Sequence, residues 1–166
     1  MTPLSLNRRN FLQSIAAGGA GLTLTFCAPG DTSGDLPTTD ASFAPDAFLR
    51  ISNNGSITIV LGQSELGQGV HTALAMIVAE ELDADWNRIK VYTGPAHPAY
   101  ANPLMQTQRT AWSASVRGWW NTLRETGAQA RAMLVAEAAA QWDVPTRECH
   151  ASVSVVHHPA SNRQLT

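Results

Sequence analysis

The sequence predicts an α+β fold: a small mixed or antiparallel sheet carrying one short helix and one long helix. Three observations predict it. Two alternating apolar stretches flank "NNG" at residues 53–55, an apolar pattern of helical period follows the glycine-rich "GQSELGQGVHT", and a Pro-free, Ala-rich run extends over residues 113–142. The 166 residues are 44% hydrophobic and 14% charged with a net charge of −2. That is the balance of one ordinary globular domain and argues against a nucleic-acid partner.

Residues 1–27 contain "SLNRRNFLQSIAAGGAGLTLTF", a cationic start followed by small and apolar residues, the layout of an export signal. A bilayer span needs about 20 apolar residues, more than this run supplies. Arg8 and Arg9, followed by Asn10, Phe11 and Leu12, resemble a twin-arginine signal, so a periplasmic or cell-envelope location is expected. Residues 28–46 are rich in Pro, Gly, Ser, Thr and Asp, which cannot bury enough apolar area to offset chain entropy. They read as a flexible linker, with folding expected to begin near Ala47 and to occupy residues 47–166. Cys27 and Cys149 are the only cysteines, too few for a disulfide framework or a paired-cysteine metal site.

Within the folded part, residues 48–52 and 56–61 read as a hairpin, because Asn54-Gly55 suits the left-handed backbone of a tight turn. In the second strand Ile57, Ile59 and Leu61 share one face, and Thr58 and Val60 the other. Val70, Leu74, Ile77, Val78 and Leu82 mark an amphipathic helix over residues 70–83, and residues 88–93 alternate as a third strand. Val116, Trp119, Leu123, Ala130, Leu134 and Ala138 define the long helix. Arg117, Arg124 and Arg131 recur every seven residues along it, as a solvated or interface stripe, or, for Arg117, as a phosphate contact. Pro145 ends the helix and residues 151–156 read as a last strand. Four tryptophans on or beside the long helix want more protein against them, so the chain is expected to continue beyond Thr166.

Strand, glycine-rich loop and helix make a generic anion cradle, since glycine admits close approach and the first helical N–H groups attract negative charge. A phosphate-binding Walker loop is excluded, because Gln68-Gly69 stands where Lys-Ser/Thr is required. A dinucleotide fingerprint is weak: Thr72 replaces the third glycine, and the preceding strand belongs to a hairpin rather than to a βαβ unit. A plain turn would explain one glycine, but not three together with Gln63, Ser64 and Gln68. His157-His158 suits a surface turn better than a metal site, and His71 a structural role.

The stretch "GQSELGQGVHTALAMIVAEELDADWNRIKV" resembles the G-x-x-E-x-G-Q-G-x-x-T segment, with its following helix and strand, of the molybdopterin-binding large subunit in the xanthine dehydrogenase and aldehyde oxidase family. With the N-terminal signal so near, it is similar to the isoquinoline 1-oxidoreductase beta-subunit branch. "TAWSASVRGWWNTLRETGAQARAMLVAEAAAQWDVP" resembles that branch's T-x-x-S-x-S-V-R segment, although Trp112 departs from the usual small residue. The resemblance implies an N-terminal fragment of a larger molybdopterin-binding domain. It implies that Gly67, Gln68 and Gly69, and then Ser113, Ala114, Ser115 and Val116, meet the cofactor. Glu65 matches the acid of the first motif. The cofactor implied is molybdopterin with molybdenum, in its cytosine dinucleotide form. The activity implied is that of a molybdenum hydroxylase acting on an N-heterocyclic aromatic or an aldehyde, with water as the oxygen source. The catalytic glutamate would lie beyond Thr166, so no catalytic residue and no metal ligand are assigned here, and the fragment alone is expected to be inactive. The partners implied are a small subunit with [2Fe–2S] clusters, a downstream electron acceptor and the twin-arginine export machinery. Two other readings of the same glycines stand beside it: a nicotinamide-type dehydrogenase, and an exported phosphate- or dinucleotide-binding module without molybdenum chemistry.

Overall fold

The computed structural model describes residues 22–25 and 47–166. Arg8-Arg9 and the predicted linker lie outside them. The elements run β1 (Leu22–Thr25), β2 (Ala47–Ile51), β3 (Ile57–Leu61), α1 (Val70–Leu82), β4 (Ile89–Thr93), α2 (Ala114–Trp142), β5 (His150–Ser152), β6 (Val155–His158) and β7 (Arg163–Leu165). Strands β1-β2-β3-β4 form one sheet in that order and β5-β6-β7 a second. The α+β prediction therefore stands.

The hairpin forms where Asn-Gly predicted it, with Leu49 opposite Ile59 and Ile51 opposite Ile57. Only Gly55 of the turn takes a positive φ, at 77°. Its N–H reaches Ser52 O at 2.9 Å, and the Asn54 side chain accepts from Ser56 N–H at 3.0 Å. Glycine meets the left-handed requirement without a Cβ penalty.

Three expectations are corrected. First, β3 and β4 pair in parallel, Ile57 with Ile89 through Leu61 with Thr93. A parallel neighbour requires a crossover, which α1 provides, so β3-α1-β4 is a βαβ unit and the argument from a hairpin strand fails. The missing third glycine still weighs against a dinucleotide fingerprint. Second, residues 151–156 are not one strand. Val153 and Ser154 turn the chain with φ of 49° and 60°, making a hairpin between β5 and β6. No glycine marks that turn, which hid it from the sequence. Third, described structure begins before Ala47, because β1 pairs antiparallel with β2 from Leu22 opposite Ile51 to Thr25 opposite Ala47.

Helix α1 lies against both the sheet and α2. Leu74, Ala75 and Val78 are essentially inaccessible. Full burial of a Leu or Val contributes roughly 1.5–3 kcal/mol, which stabilises a helix of 13 residues that would be marginal alone. The helices approach closely at Gly127, where an added Cβ would stand 2.7 Å from Val78 O and 2.9 Å from Glu81 Cβ. Two members of the seven-residue arginine stripe clamp the same crossing. Arg124 pairs with Glu81, and Arg131 with Asp83 at 2.7 Å. At this same C-terminal end of α1, Ser154 N–H donates to Asp83 O at 2.8 Å and Asp85 N–H to Ser154 Oγ at 2.7 Å, tying the second sheet on. A cavity of about 350 Å³ lies between these parts, lined by Ile51, Ile57, Leu82, Leu134 and Val156 among others.

Gly127→Ala should destabilise the chain by about 1–3 kcal/mol by overpacking, despite the helix-propensity gain of alanine. Urea unfolding followed by circular dichroism measures it, and an unchanged midpoint would show that the helix pair has slack.

Candidate functional site

The glycine loop begins where β3 ends, at the end of the strand away from the cavity. Gly62 is forced there: a Cβ would lie 2.6 Å from Tyr100 O and 2.7 Å from Tyr100 Cβ. Tyr100 is fully buried, with Phe48 edge-on at a ring separation of 5.1 Å. The loop is thus held against the core before it emerges. Residues 64 to 69 are then exposed.

Gly67 and Gly69 have φ of 96° and 78°, and nothing lies within 4 Å of where either Cβ would be. Here glycine answers a backbone requirement and leaves open space. Their N–H groups are already engaged: Glu65 Oε1 accepts from Gly67 N–H at 2.8 Å and from Gly69 N–H at 3.0 Å, while Oε2 accepts from His71 N–H at 3.0 Å. The carboxylate thereby caps α1, whose first turn carries no acidic residue of its own. The backbone N–H of His71, then that of Gly69, hold the Glu65 carboxyl below the usual carboxylate range, opposed by desolvation.

Gln68 also braces the loop. Its Oε1 accepts from Leu66 N–H at 2.6 Å and its Nε2 donates to Ser64 O at 2.8 Å. One amide hydrogen and one lone pair remain for another partner. His71 Nε2 bonds Gln63 O at 2.8 Å, the structural role expected of it. Gln63 itself is wholly buried, and neither atom of its side-chain amide has a partner. An unpaired buried amide group costs about 1–3 kcal/mol, and no protein group offsets that cost at the root of the loop.

The second segment lies close to the first through Ser64 N–H, which donates to Thr110 Oγ1 at 2.8 Å. Trp112 and Ser113 are both left-handed, with φ of 57° and 51°. Non-glycine residues held there cost of order 1–3 kcal/mol each. Trp112 is 78% exposed, with the Arg109 guanidinium 5.4 Å from its ring centre. Ser113 is the N-cap of α2 and makes no side-chain cap bond. Ala114 is buried, its N–H bonded to Ala111 O at 3.1 Å and its O accepting from Asn102 Nδ2 at 3.0 Å. Ser115 is half-buried and Val116 exposed. Arg117 turns back to Ser113 O at 3.0 Å and Trp112 O at 3.4 Å. It braces the cap instead of reaching outward.

The two predicted segments therefore differ. The first is satisfied internally by Glu65, whereas the start of α2 has no side-chain cap and no acid in its first turn. Sequence reasoning placed Glu65 in the motif without assigning it this work. An acid four residues before a left-handed glycine N-cap was the available signal. The orphaned amide of Gln63 follows from tertiary burial and had none. His157 stacks on His150 across the β5-β6 pair at 5.2 Å, and His158 is buried beside Ser161. Among the described residues no three potential metal ligands converge.

A family model described as the molybdopterin cofactor-binding domain matches residues 8–166. The chain belongs to that family. It is 42% identical over 167 aligned positions to the isoquinoline 1-oxidoreductase subunit beta of Brevundimonas diminuta, covering 97% of this chain and 21% of that one. It is 32% identical over 167 positions to a membrane-bound aldehyde dehydrogenase [pyrroloquinoline-quinone] of Gluconacetobacter polyoxogenes, covering 98% and 20%. The chain thus spans about a fifth of the length of these relatives. Quinoline 2-oxidoreductase from Pseudomonas putida 86 shares its fold over 69% of this chain and 14% of that one, with a TM-score of 0.53 at 18% identity.

Because the folded Glu65 carboxyl is held below the usual range, its ordering of the loop is complete above that range and is lost as pH falls through the lowered value. The amide resonances of Gly67, Gly69 and His71 should move together in that acid window. Glu65→Gln should abolish the common transition, and its persistence would remove the assignment.

Proposed function

We propose that this chain is the N-terminal part of the large subunit of a molybdenum hydroxylase, oxidising an N-heterocyclic aromatic or an aldehyde with water as oxygen source. The family match across residues 8–166 carries the reading. The residues present fit a molybdopterin on chemical grounds. The open space at Gly67 and Gly69 admits close backbone approach. The spare donor and acceptor of Gln68 suit a pterin edge. The Ser113 hydroxyl and the first N–H groups of α2, at Ser115 and Val116, suit a phosphate. Ala114 packs beneath them, and the unpaired amide of Gln63 supports a polar group docked at the loop.

When bound, the molybdenum cofactor supplies the two-electron redox chemistry of hydroxylation. The residues of this chain bind and orient it: Glu65 keeps the loop in its left-handed shape, Gln68 and the α2 start grip, and Gly62 locks the loop to the core. The cytosine dinucleotide form, transfer of electrons to a small [2Fe–2S] subunit and onward to an acceptor, and export to the periplasm by the twin-arginine route through Arg8 and Arg9 complete the proposal. The substrate classes follow the isoquinoline and aldehyde named in the relatives. A second reading, a phosphate- or dinucleotide-binding module without molybdenum, draws on the βαβ unit, whose glycine loop sits at the carboxyl end of a parallel strand, where such ligands bind.

Metal and cofactor analysis of the full-length subunit with its partners decides between them. Stoichiometric molybdenum and a released pterin are expected; active, folded protein with neither, or with a quinone in their place, overturns the first reading. Gln68→Ala should weaken cofactor retention by about tenfold, the equivalent of about 1.4 kcal/mol, as should Gln68→Glu, which keeps the acceptor for Leu66 N–H. Unchanged molybdenum content in both would refute the role of Gln68. Replacing Arg8 and Arg9 together by lysine should stop export, and continued delivery would remove the twin-arginine assignment.

A further inference from the structure

We propose that strand β1 is a permanent part of the folded domain, so that any processing of the N-terminal leader cuts before Leu22 and the mature protein keeps Leu22–Thr25. The inference goes beyond the proposed activity. It builds on the export reading only for the existence of a cut. It differs from the boundary that the sequence suggested, a signal ending at residue 27.

The register carries it. Leu22 stands opposite Ile51, Thr23 opposite Arg50 and Leu24 opposite Leu49. Leu49 and Ile51 in turn stand opposite Ile59 and Ile57 of β3, which stand opposite Val91 and Ile89 of β4. Two apolar rungs therefore run across all four strands, and Leu22 and Leu24, two residues apart, continue them up to the register shift between Leu24 and Thr25. A leader's apolar core needs only hydrophobicity. A strand period of two, in phase with its neighbour, is what a sheet needs, because a slip of one residue would set threonine against each apolar partner.

The second argument is what removal would expose. Strand β2 holds Phe48 and Leu49, 2% and 1% accessible, and it is bonded on its other side to β3. Without β1 its outer row of N–H and C=O groups would be an open, apolar sheet edge, the arrangement that templates aggregation. The third is the chemistry of cleavage. A signal cut takes small residues at its site, and "AAGGAG" at residues 16–21 lies immediately before β1. After β1 comes Phe26, a bulky neighbour for a cut before Cys27. The family match also begins at residue 8 and so contains the strand.

N-terminal sequencing and intact mass of the full-length subunit, purified from its native compartment, test the proposal. A chain starting at or before Leu22 is expected. An unprocessed chain starting at Met1 also keeps the strand, and would count only against leader removal. A start at Cys27 or later, or a lipidated N-terminal Cys27, overturns the proposal. As a second measurement, full-length subunits expressed from Leu22 or from Cys27 should differ: the shorter one should lose soluble yield or melt several degrees lower. Equal yield and melting would overturn it as well.

Discussion

Helix α1 has to be buried on two sides at once, and most of the molecule follows from that constraint. One side of α1 meets the sheet and another meets α2, leaving Leu74 and Ala75 with no measurable exposure. A helix so enclosed cannot rotate or slide without opening a void in a close-packed interior. Its N-terminus therefore delivers the glycine loop to one fixed place. Its C-terminus, through Asp83 and Asp85, anchors the turn of the second sheet.

The glycines of the loop are ordered by one carboxylate, with Gln68 bracing the residues before them. Three backbone N–H groups converge on Glu65, which does for this helix start what a bound anion would do elsewhere. The consequence is a loop shaped in advance, with its glycines open to approach and its backbone donors already spoken for. Preorganisation of this kind lowers the ordering cost at binding. In the function proposed, recognition would fall to the side chain of Gln68 and to the uncapped start of α2, which Arg117 and the left-handed pair Trp112-Ser113 hold in position.

The likeness to quinoline 2-oxidoreductase at 18% identity shows that the arrangement of strands and helices outlasts most of its residues. That is expected of a fold specified by apolar period and helix crossing, where many side chains of similar volume serve. Contacts that need one residue type are fewer, among them glycine at 62 and 127, where backbone or side chain stands too close for a Cβ, and glycine at 55, 67 and 69, where the chain turns left-handed.

Sequence alone determined the pieces whose cause is local. The hairpin at "NNG", the helical period from Val70 to Leu82, the 29-residue helix and the loop between strand and helix were all legible, because turn chemistry and apolar period act within a few residues. The loop motif and the α2 start were read as a pair through resemblance, and the structure brings the two segments together through Ser64 N–H and Thr110 Oγ1. What only the tertiary structure decided depends on groups far apart in the chain. The parallel pairing of β3 with β4 depends on where the crossover packs. The burial that strips Gln63 of partners depends on residues remote in sequence. The recruitment of Leu22–Thr25 as an edge strand, more than twenty residues ahead of β2, depends on an open edge at β2 that no local pattern announces. Local propensity can specify a strand or a helix. Which edge a strand joins, and whether a buried amide finds its partner, are set by the free energy of the assembled whole.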